Sequence, residues 1–148
     1  MRWFYWTIGT GLGSGFSPVA PGTAGSVVGV LLAFFLIPST GTLFIFLTLL
    51  TFAIGTLAAH YIAHTTGQED PQVVVIDEVV GVWIALWWIP QNWLFYLLAL
   101  AFFRVFDIWK PFPVKWAEQF NGGVGIMLDD VIAGFYALAT LHILLLFI

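Results

Sequence analysis

Acidic residues stand in adjacent pairs where hydrophobic stretches of this 148-residue chain begin. Asp77 and Glu78 lie near the start of one stretch, and Asp129 and Asp130 lie at the mouth of another. Ionisable groups within or beside membrane spans are costly, so they usually serve a function or pair with one another. Adjacent residues of a helix point about 100° apart. Asp129 and Asp130 are therefore expected to differ in role, one binding a ligand directly and the other orienting a water or a neighbouring ligand.

Carboxylates that converge at one depth repel each other unless they are protonated, paired with bases or neutralised by cations. A hard divalent cation such as Mg²⁺ takes oxygen ligands and often works together with phosphates. The alternative is purely structural, because the dipole and free N–H groups of a helix N-terminus favour acidic residues without any ligand.

Three further charged residues, Arg104, Asp107 and Lys110, are spaced i, i+3, i+6, close to one face of a predicted helix. One interpretation gives Asp107 a metal ion and Lys110 a phosphate contact. The other is an ion pair between Arg104 and Asp107, with Lys110 extending to the lipid headgroups.

Two segments rich in small residues could bring backbone N–H groups close to a ligand. "SPVAPGTAGS" (17–26) leads into an apolar helix, where free N–H groups and the hydroxyls of Thr23 and Ser26 would suit a phosphate. "NGGVG" (121–125) offers a similar close approach of the backbone. His60 and His64 are spaced i, i+4, but no third nitrogen or sulfur ligand is near them in sequence, so interfacial placement is favoured over metal binding. His142 is given no role.

The composition indicates an integral membrane protein. Hydrophobic residues make up 61% of the chain, charged residues 8%, and the mean hydropathy is +1.00, whereas soluble domains have about 25% charged residues. The net charge is −4 and no basic run occurs, which argues against nucleic-acid binding. The absence of cysteine excludes thiolate metal sites and cysteine nucleophiles. We expect one domain over residues 1–148, without a signal peptide and with no protein partner evident.

Hydrophobicity predicts an all-α fold, a polytopic membrane helix bundle with four to five apolar helices and a polar site at its cytoplasmic face. A membrane-spanning helix needs about 20 residues, with a range of roughly 17–25. The first segment is short, so it is expected to be re-entrant or only partly spanning. The five predicted segments are 24–37, 42–63, 73–89, 93–109 and 131–148.

The connecting loops predict the orientation. The loops 38–41 and 90–92 carry no charge, and strict alternation of five spans places both on one side of the membrane. Basic residues mark the cytoplasmic side. The N-terminus is therefore predicted inside and the C-terminus outside, with the acidic residues at the cytoplasmic face. The basic residues at that face are Arg2, Lys110 and Lys115, with Arg104 close to it.

Four blocks together resemble the phosphatidylglycerophosphatase A family, and their combination and order are far more specific than any one alone. Members are bacterial inner-membrane, Mg²⁺-dependent enzymes that remove the terminal phosphate of phosphatidylglycerophosphate to give phosphatidylglycerol. The resemblance covers roughly residues 9 to 134. The blocks are "GTGLGSGFSPVAPGTAGS" (9–26), "DPQVVVIDEVVG" (70–81), "FRVFDIWKPFPVKWAE" (103–118) and "GGVGIMLDDVIAG" (122–134).

The resemblance implies roles for individual residues. Lys110 and the N–H groups near Gly22 to Ser26, with Thr23, would hold the phosphate, and Gly122 and Gly123 would form a close-approach loop beside it. The residues that would bind one or two Mg²⁺ ions are Asp77, Glu78, Asp107, Asp129 and Asp130, of which Asp107, Asp129 and Asp130 would act in catalysis together with Lys110.

The chain departs from the family pattern at two positions. Asn121 and Glu118 stand where some members carry His and Asp, so their place in the site is open. The expected nucleophile is an activated water, with an aspartate that forms an aspartyl-phosphate as the alternative; the sequence does not separate the two.

A membrane transporter that uses the clustered carboxylates is the alternative of a different class. Transport paths typically place polar groups near the bilayer midplane, whereas the outer halves of these five segments are nearly bare of ionisable residues. A non-catalytic subunit would have no need for clustered carboxylates. The sequence therefore favours an enzyme that acts on a phospholipid.

Overall fold

The protein is described here by a computed structural model covering residues 1–37 and 41–148, and every regular element in these ranges is a helix. This confirms the predicted all-α class. The predicted loop 38–41 lies mostly outside the described residues. The elements are α1 (Arg2–Gly9), a 3-10 turn (Ser14–Phe16), α2 (Pro21–Leu36), α3 (Thr42–Thr66), α4 (Ile76–Ala85), α5 (Trp93–Trp109), α6 (Val114–Ala117) and α7 (Gly122–Leu145).

Helix α4 is the centre of the bundle. Every residue of α4 except Glu78 is buried, and α2, α3, α5 and α7 all pack against it. A helix that is hydrophobic on all sides is stable only inside a core or a membrane. The predicted segment 73–89 was too long. The backbone N–H of Val75 donates to the carbonyl of Gly9 at 2.9 Å, which ties the segment before α4 to the end of α1, and residues 86–88 form a turn.

Two of the described helices, α3 with 25 residues and α7 with 24, are long and apolar enough to cross a membrane. Large apolar side chains of α3 face outward, with Leu43, Phe46 and Leu57 each 61% exposed. Exposed apolar surface of this kind is unusual for a soluble monomer and suits contact with lipid. These features indicate a membrane protein, whereas the predicted four to five spanning helices are not confirmed.

Helix α7 begins nine residues before the predicted segment 131–148, because it starts at Gly122. The glycine-rich start allows this helix to pack closely, since a Cβ atom on Gly123 would stand 2.1 Å from the carbonyl oxygen of Thr56 in α3. As a result, Asp129 and Asp130 lie two turns inside α7. The prediction that they mark the mouth of the last helix was wrong.

Candidate active site

The five predicted carboxylates gather where α4, α5 and α7 meet. Their oxygen atoms form two groups, each with all members within 4.8 Å of one another. Asp130 belongs to both groups, so its carboxylate lies at the centre of the cluster. One group is Asp77, Glu78 and Asp130, and the other is Asp107, Asp129 and Asp130.

The centre of this cluster is buried, and several of its carboxylate oxygens have no hydrogen-bond partner in the part of the chain that the structure describes. Asp77 is 8% exposed and Asp130 only 3%. Within the described ranges, Asp77 Oδ1, Glu78 Oε2 and Asp130 Oδ2 are buried without any hydrogen-bond partner. Removing a carboxylate from water without compensation is strongly unfavourable. Closely spaced carboxylate oxygens that lack hydrogen-bond partners are suited to a hard divalent cation, for which oxygen is the preferred ligand.

Two cations flank the carboxylates. Arg104 Nη1 lies 2.5 Å from Asp107 Oδ2 and 4.0 Å from Glu78 Oε1. Lys110 Nζ donates to Asp129 Oδ2 at 3.0 Å and also to Glu118. The Arg104–Asp107 ion pair that the spacing allowed is therefore present, and Lys110 turns toward the cluster.

The predicted site residues did not include Arg104, and the sequence did not determine whether Glu118 belongs to the site. The i, i+3, i+6 spacing of Arg104, Asp107 and Lys110 was the available signal for Arg104. For Glu118 no local signal existed, because its contact with Lys110 depends on the turn that follows α5.

Lys110 ends α5 in the left-handed conformation, with φ of 50°, which is uncommon for a residue other than glycine. Burial alone would lower the pKa of the Lys110 ammonium, but its hydrogen bonds to Glu118 and Asp129 and their negative charges outweigh this effect and raise the pKa. Lys110 therefore carries its positive charge at neutral pH.

A cavity of about 300 Å³ opens beside the cluster and is lined by its five carboxylates, by Asp70, by both cations and by the start of α2. Gly22 brings the start of α2 close to the carboxylates, because a Cβ atom there would stand 2.1 Å from Glu78 Oε1. Thr23 is exposed and is not part of this lining. The Ser26 hydroxyl is buried and donates to the carbonyl of Gly22 at 2.8 Å, so it faces its own helix.

Gly122 and Gly123 lie outside this cavity. Gly122 lines a neighbouring groove together with Asp129, Glu118 and Asn121. Both glycines also lie beside His60 of α3, which is exposed and belongs to neither carboxylate group. The structure thus brings the predicted acidic residues together with Lys110 and Gly22, while the remaining predicted phosphate contacts lie further away.

A membrane bundle of helices that directs five carboxylates and two cations into one cavity has the side chains of a phosphoryl-transfer site. Comparison with known proteins gives the same class. The chain matches the phosphatidylglycerophosphatase A family over residues 7–145 and belongs to that family. It is a phosphatase, and the predicted family and enzyme class are confirmed.

Relatives cover most of the chain. A Bacteroides thetaiotaomicron protein named "Putative phosphatidylinositol-3-phosphatase" is 50% identical, over 88% of this chain and 86% of its own length. Phosphatidylglycerophosphatase A of Escherichia coli is 34% identical, over 91% and 80%. Phosphatidylglycerophosphatase A of Haemophilus influenzae is 41% identical, over 88% and 82%. No solved structure matches the chain significantly.

Proposed function

We propose that this protein is a Mg²⁺-dependent phosphatase that converts phosphatidylglycerophosphate to phosphatidylglycerol and phosphate. The observation that carries the proposal is the position of Asp130, a buried carboxylate shared by two groups of potential metal ligands in a membrane protein of this family. A phosphate monoester on a lipid needs positioning and neutralisation of charge more than covalent machinery.

The five carboxylates fit Mg²⁺ by charge as well as by chemistry. With all of them ionised, Arg104 and Lys110 offset two of the five negative charges and leave three; one divalent cation would reduce this remainder to a single charge, and two would exceed it by one. The ligands would be drawn from the two groups that share Asp130. When bound, Mg²⁺ would neutralise phosphate oxygens and increase the acidity of a water molecule.

Lys110 positions the carboxylate of Asp129 and has one hydrogen-bond donor left for the substrate. Its ammonium has three N–H donors, of which Asp129 and Glu118 take two. The third is available to a phosphate oxygen in the cavity. The start of α2 at Gly22 also lines the cavity, and the free backbone N–H groups and dipole of a helix start favour an anion.

The nucleophile in this proposal is a water molecule rather than an aspartate. Asp77 and Asp130 are almost fully buried within the cluster, so neither is freely accessible for in-line attack on a phosphorus atom. An aspartyl-phosphate is the alternative chemistry, and it would leave a phosphorylated protein during turnover.

The membrane setting determines how a lipid reaches this site. We propose a multi-pass protein of the bacterial inner membrane, with the cavity at the cytoplasmic face where Arg2, Lys110 and Lys115 are expected. The acyl chains of the substrate stay in the bilayer while its headgroup enters the cavity.

The names of two relatives mention different lipid headgroups, so substrate choice is tested with both lipids. The purified protein is given mixed vesicles that contain either phosphatidylglycerophosphate or phosphatidylinositol 3-phosphate, and released phosphate is measured. The proposal expects kcat/KM to be higher for phosphatidylglycerophosphate. A preference for the inositol lipid would show that phosphatidylglycerophosphate is not the main substrate, while the protein would still be a phosphatase.

A further inference from the structure

We propose that Arg104 binds the phosphate group of the substrate through the free Nε–Nη2 edge of its guanidinium. This inference deepens the proposed function and rests on it, since it assigns a substrate contact within the same cavity. It gives Arg104 a role beyond the ion pair that its spacing from Asp107 predicts.

The guanidinium is only partly used by the protein. Its contacts with Asp107 and Glu78 are both made by Nη1. Nε is buried and has no hydrogen-bond partner among residues 1–37 and 41–148. A buried charged donor without a partner is unfavourable, so the structure leaves a donor ready for an acceptor that the chain does not supply.

The free edge has the right geometry for a phosphate. Arginine presents its donors in a rigid planar fork, which binds two oxygens of a phosphate at once. The contact of Nη1 with Asp107 fixes the plane of that fork in advance. Less conformational entropy is then lost when the phosphate binds.

Space for the anion is present next to Arg104. Arg104 lines the 300 Å³ cavity together with Gly22 and Asp107. A Cβ atom on Gly22 would stand 3.3 Å from Arg104 Nη1, so the backbone at the start of α2 borders the guanidinium directly. The positive end of the α2 dipole therefore lies near the guanidinium and adds to the attraction for an anion in the cavity.

Of the two cations, Lys110 has fewer hydrogen-bond donors left for a phosphate. Its ammonium is already bonded to Asp129 and Glu118 and has one donor left, whereas Arg104 still has a complete edge. Arg104 is therefore the principal phosphate contact, and Lys110 supplies a single additional hydrogen bond.

The test measures binding of inorganic phosphate, the reaction product, to the purified protein in detergent with Mg²⁺ present. Calorimetry compares wild type with Arg104→Lys, which keeps the charge but loses the fork, and with Arg104→Ala. The matched control is Arg2→Lys, the same change at an exposed position outside the cavity. We expect phosphate to bind at least about tenfold more weakly to both Arg104 variants, and normally to the control.

Turnover adds a second readout. We expect Arg104→Lys to raise KM for phosphatidylglycerophosphate, and millimolar guanidinium to restore part of the activity of Arg104→Ala while leaving wild type unchanged. Unchanged phosphate affinity in both Arg104 variants would overturn the inference, even if activity falls, because Arg104 would then act only by positioning Asp107. Phosphate binding needs no turnover, so a wild type that binds phosphate but does not hydrolyse the lipid would contradict the proposed function separately.

Discussion

Gly134 of α7 lies so close to α4 that a Cβ atom added to it would stand 2.4 Å from the carbonyl oxygen of Gly81. Small residues permit such an approach between helices in a membrane. Asp77 precedes Gly81 by four residues, and Asp130 precedes Gly134 by four, which is about one helical turn in each case. The contact between the two glycines therefore holds the carboxylates of Asp77 and Asp130 at ligand-sharing distance.

Replacement of Gly134 by alanine is expected to damage both stability and activity. The added methyl group meets backbone rather than a flexible side chain, so α4 and α7 must move apart. Overpacking of this kind costs about 1–3 kcal/mol, and displacement of Asp130 should reduce turnover strongly. Thermal unfolding in detergent and phosphate release measure the two effects.

Gly41→Ala is the matched control, because the nearest atom to its added Cβ is 3.9 Å away. This variant should keep near-normal activity. Equal behaviour of the two alanine variants would show that the close approach of Gly134 to Gly81 does not determine the site.

Asp130→Asn is predicted to separate stability from activity. In the presence of a chelator, this variant should unfold several degrees above wild type, because a buried and unpartnered carboxylate oxygen is removed from a cluster of like charges. Mg²⁺ should stabilise wild type, since a ligand that binds only the folded state shifts the equilibrium toward it. The Asp130→Asn variant should lose most of this stabilisation and about 100-fold or more of the activity.

Glu69→Gln serves as the control for Asp130→Asn, since Glu69 is exposed and belongs to neither carboxylate group. Its response to Mg²⁺ should match that of wild type. If Mg²⁺ stabilised Asp130→Asn and wild type equally, the shared carboxylate would not be a metal ligand.

Attack by water predicts that no phosphorylated protein accumulates during turnover. Substrate carrying a labelled terminal phosphate is mixed with the enzyme, the reaction is stopped in acid, and the protein is examined by mass spectrometry. Label at Asp77, Asp107, Asp129 or Asp130 would instead establish an aspartyl-phosphate. Asp70 is a useful comparison within the same spectra, because it lines the cavity but belongs to neither carboxylate group.

The proposed orientation is open to a labelling experiment. Single cysteines are unambiguous reporters in a chain without native cysteine. Gln91→Cys should react with an impermeant reagent from the outside of intact cells, and Lys115→Cys only after the cells are opened. The reverse pattern would place the cavity at the outer face and contradict a cytoplasmic substrate.

Composition and hydrophobicity were sufficient to predict the membrane class and the helical fold, while the order of the segments and the family resemblance predicted the clustering of the carboxylates. Charged residues are rare in this apolar chain, so the positions of Asp77 and Asp130 are a strong indication of a functional site. Helix boundaries were harder to predict. The start of α7 resembled a loop because glycine is unfavourable in isolated helices, whereas in the structure Gly123 permits contact with α3.

The role of α4 could not be predicted from its own residues. A continuous apolar run indicates burial but does not distinguish burial in lipid from burial among other helices. The surrounding contacts of α4 with α2, α3, α5 and α7 are long-range and have no local signature. The free edge of Arg104 could not be predicted for a similar reason. The spacing indicates that Arg104 pairs with Asp107, but it does not show that Nε has no hydrogen-bond partner among the described residues.

The most direct test of the central claim compares wild type with Asp130→Asn in phosphatidylglycerophosphate vesicles, as Mg²⁺ is added and then removed by a chelator. Wild type is expected to release phosphate with Mg²⁺, to stop with chelator and to recover when Mg²⁺ is restored. Asp130→Asn should remain at least about 100-fold slower throughout. Phosphate release by wild type at the same rate with chelator present, or a normal rate in Asp130→Asn, would contradict a Mg²⁺ site built around this carboxylate.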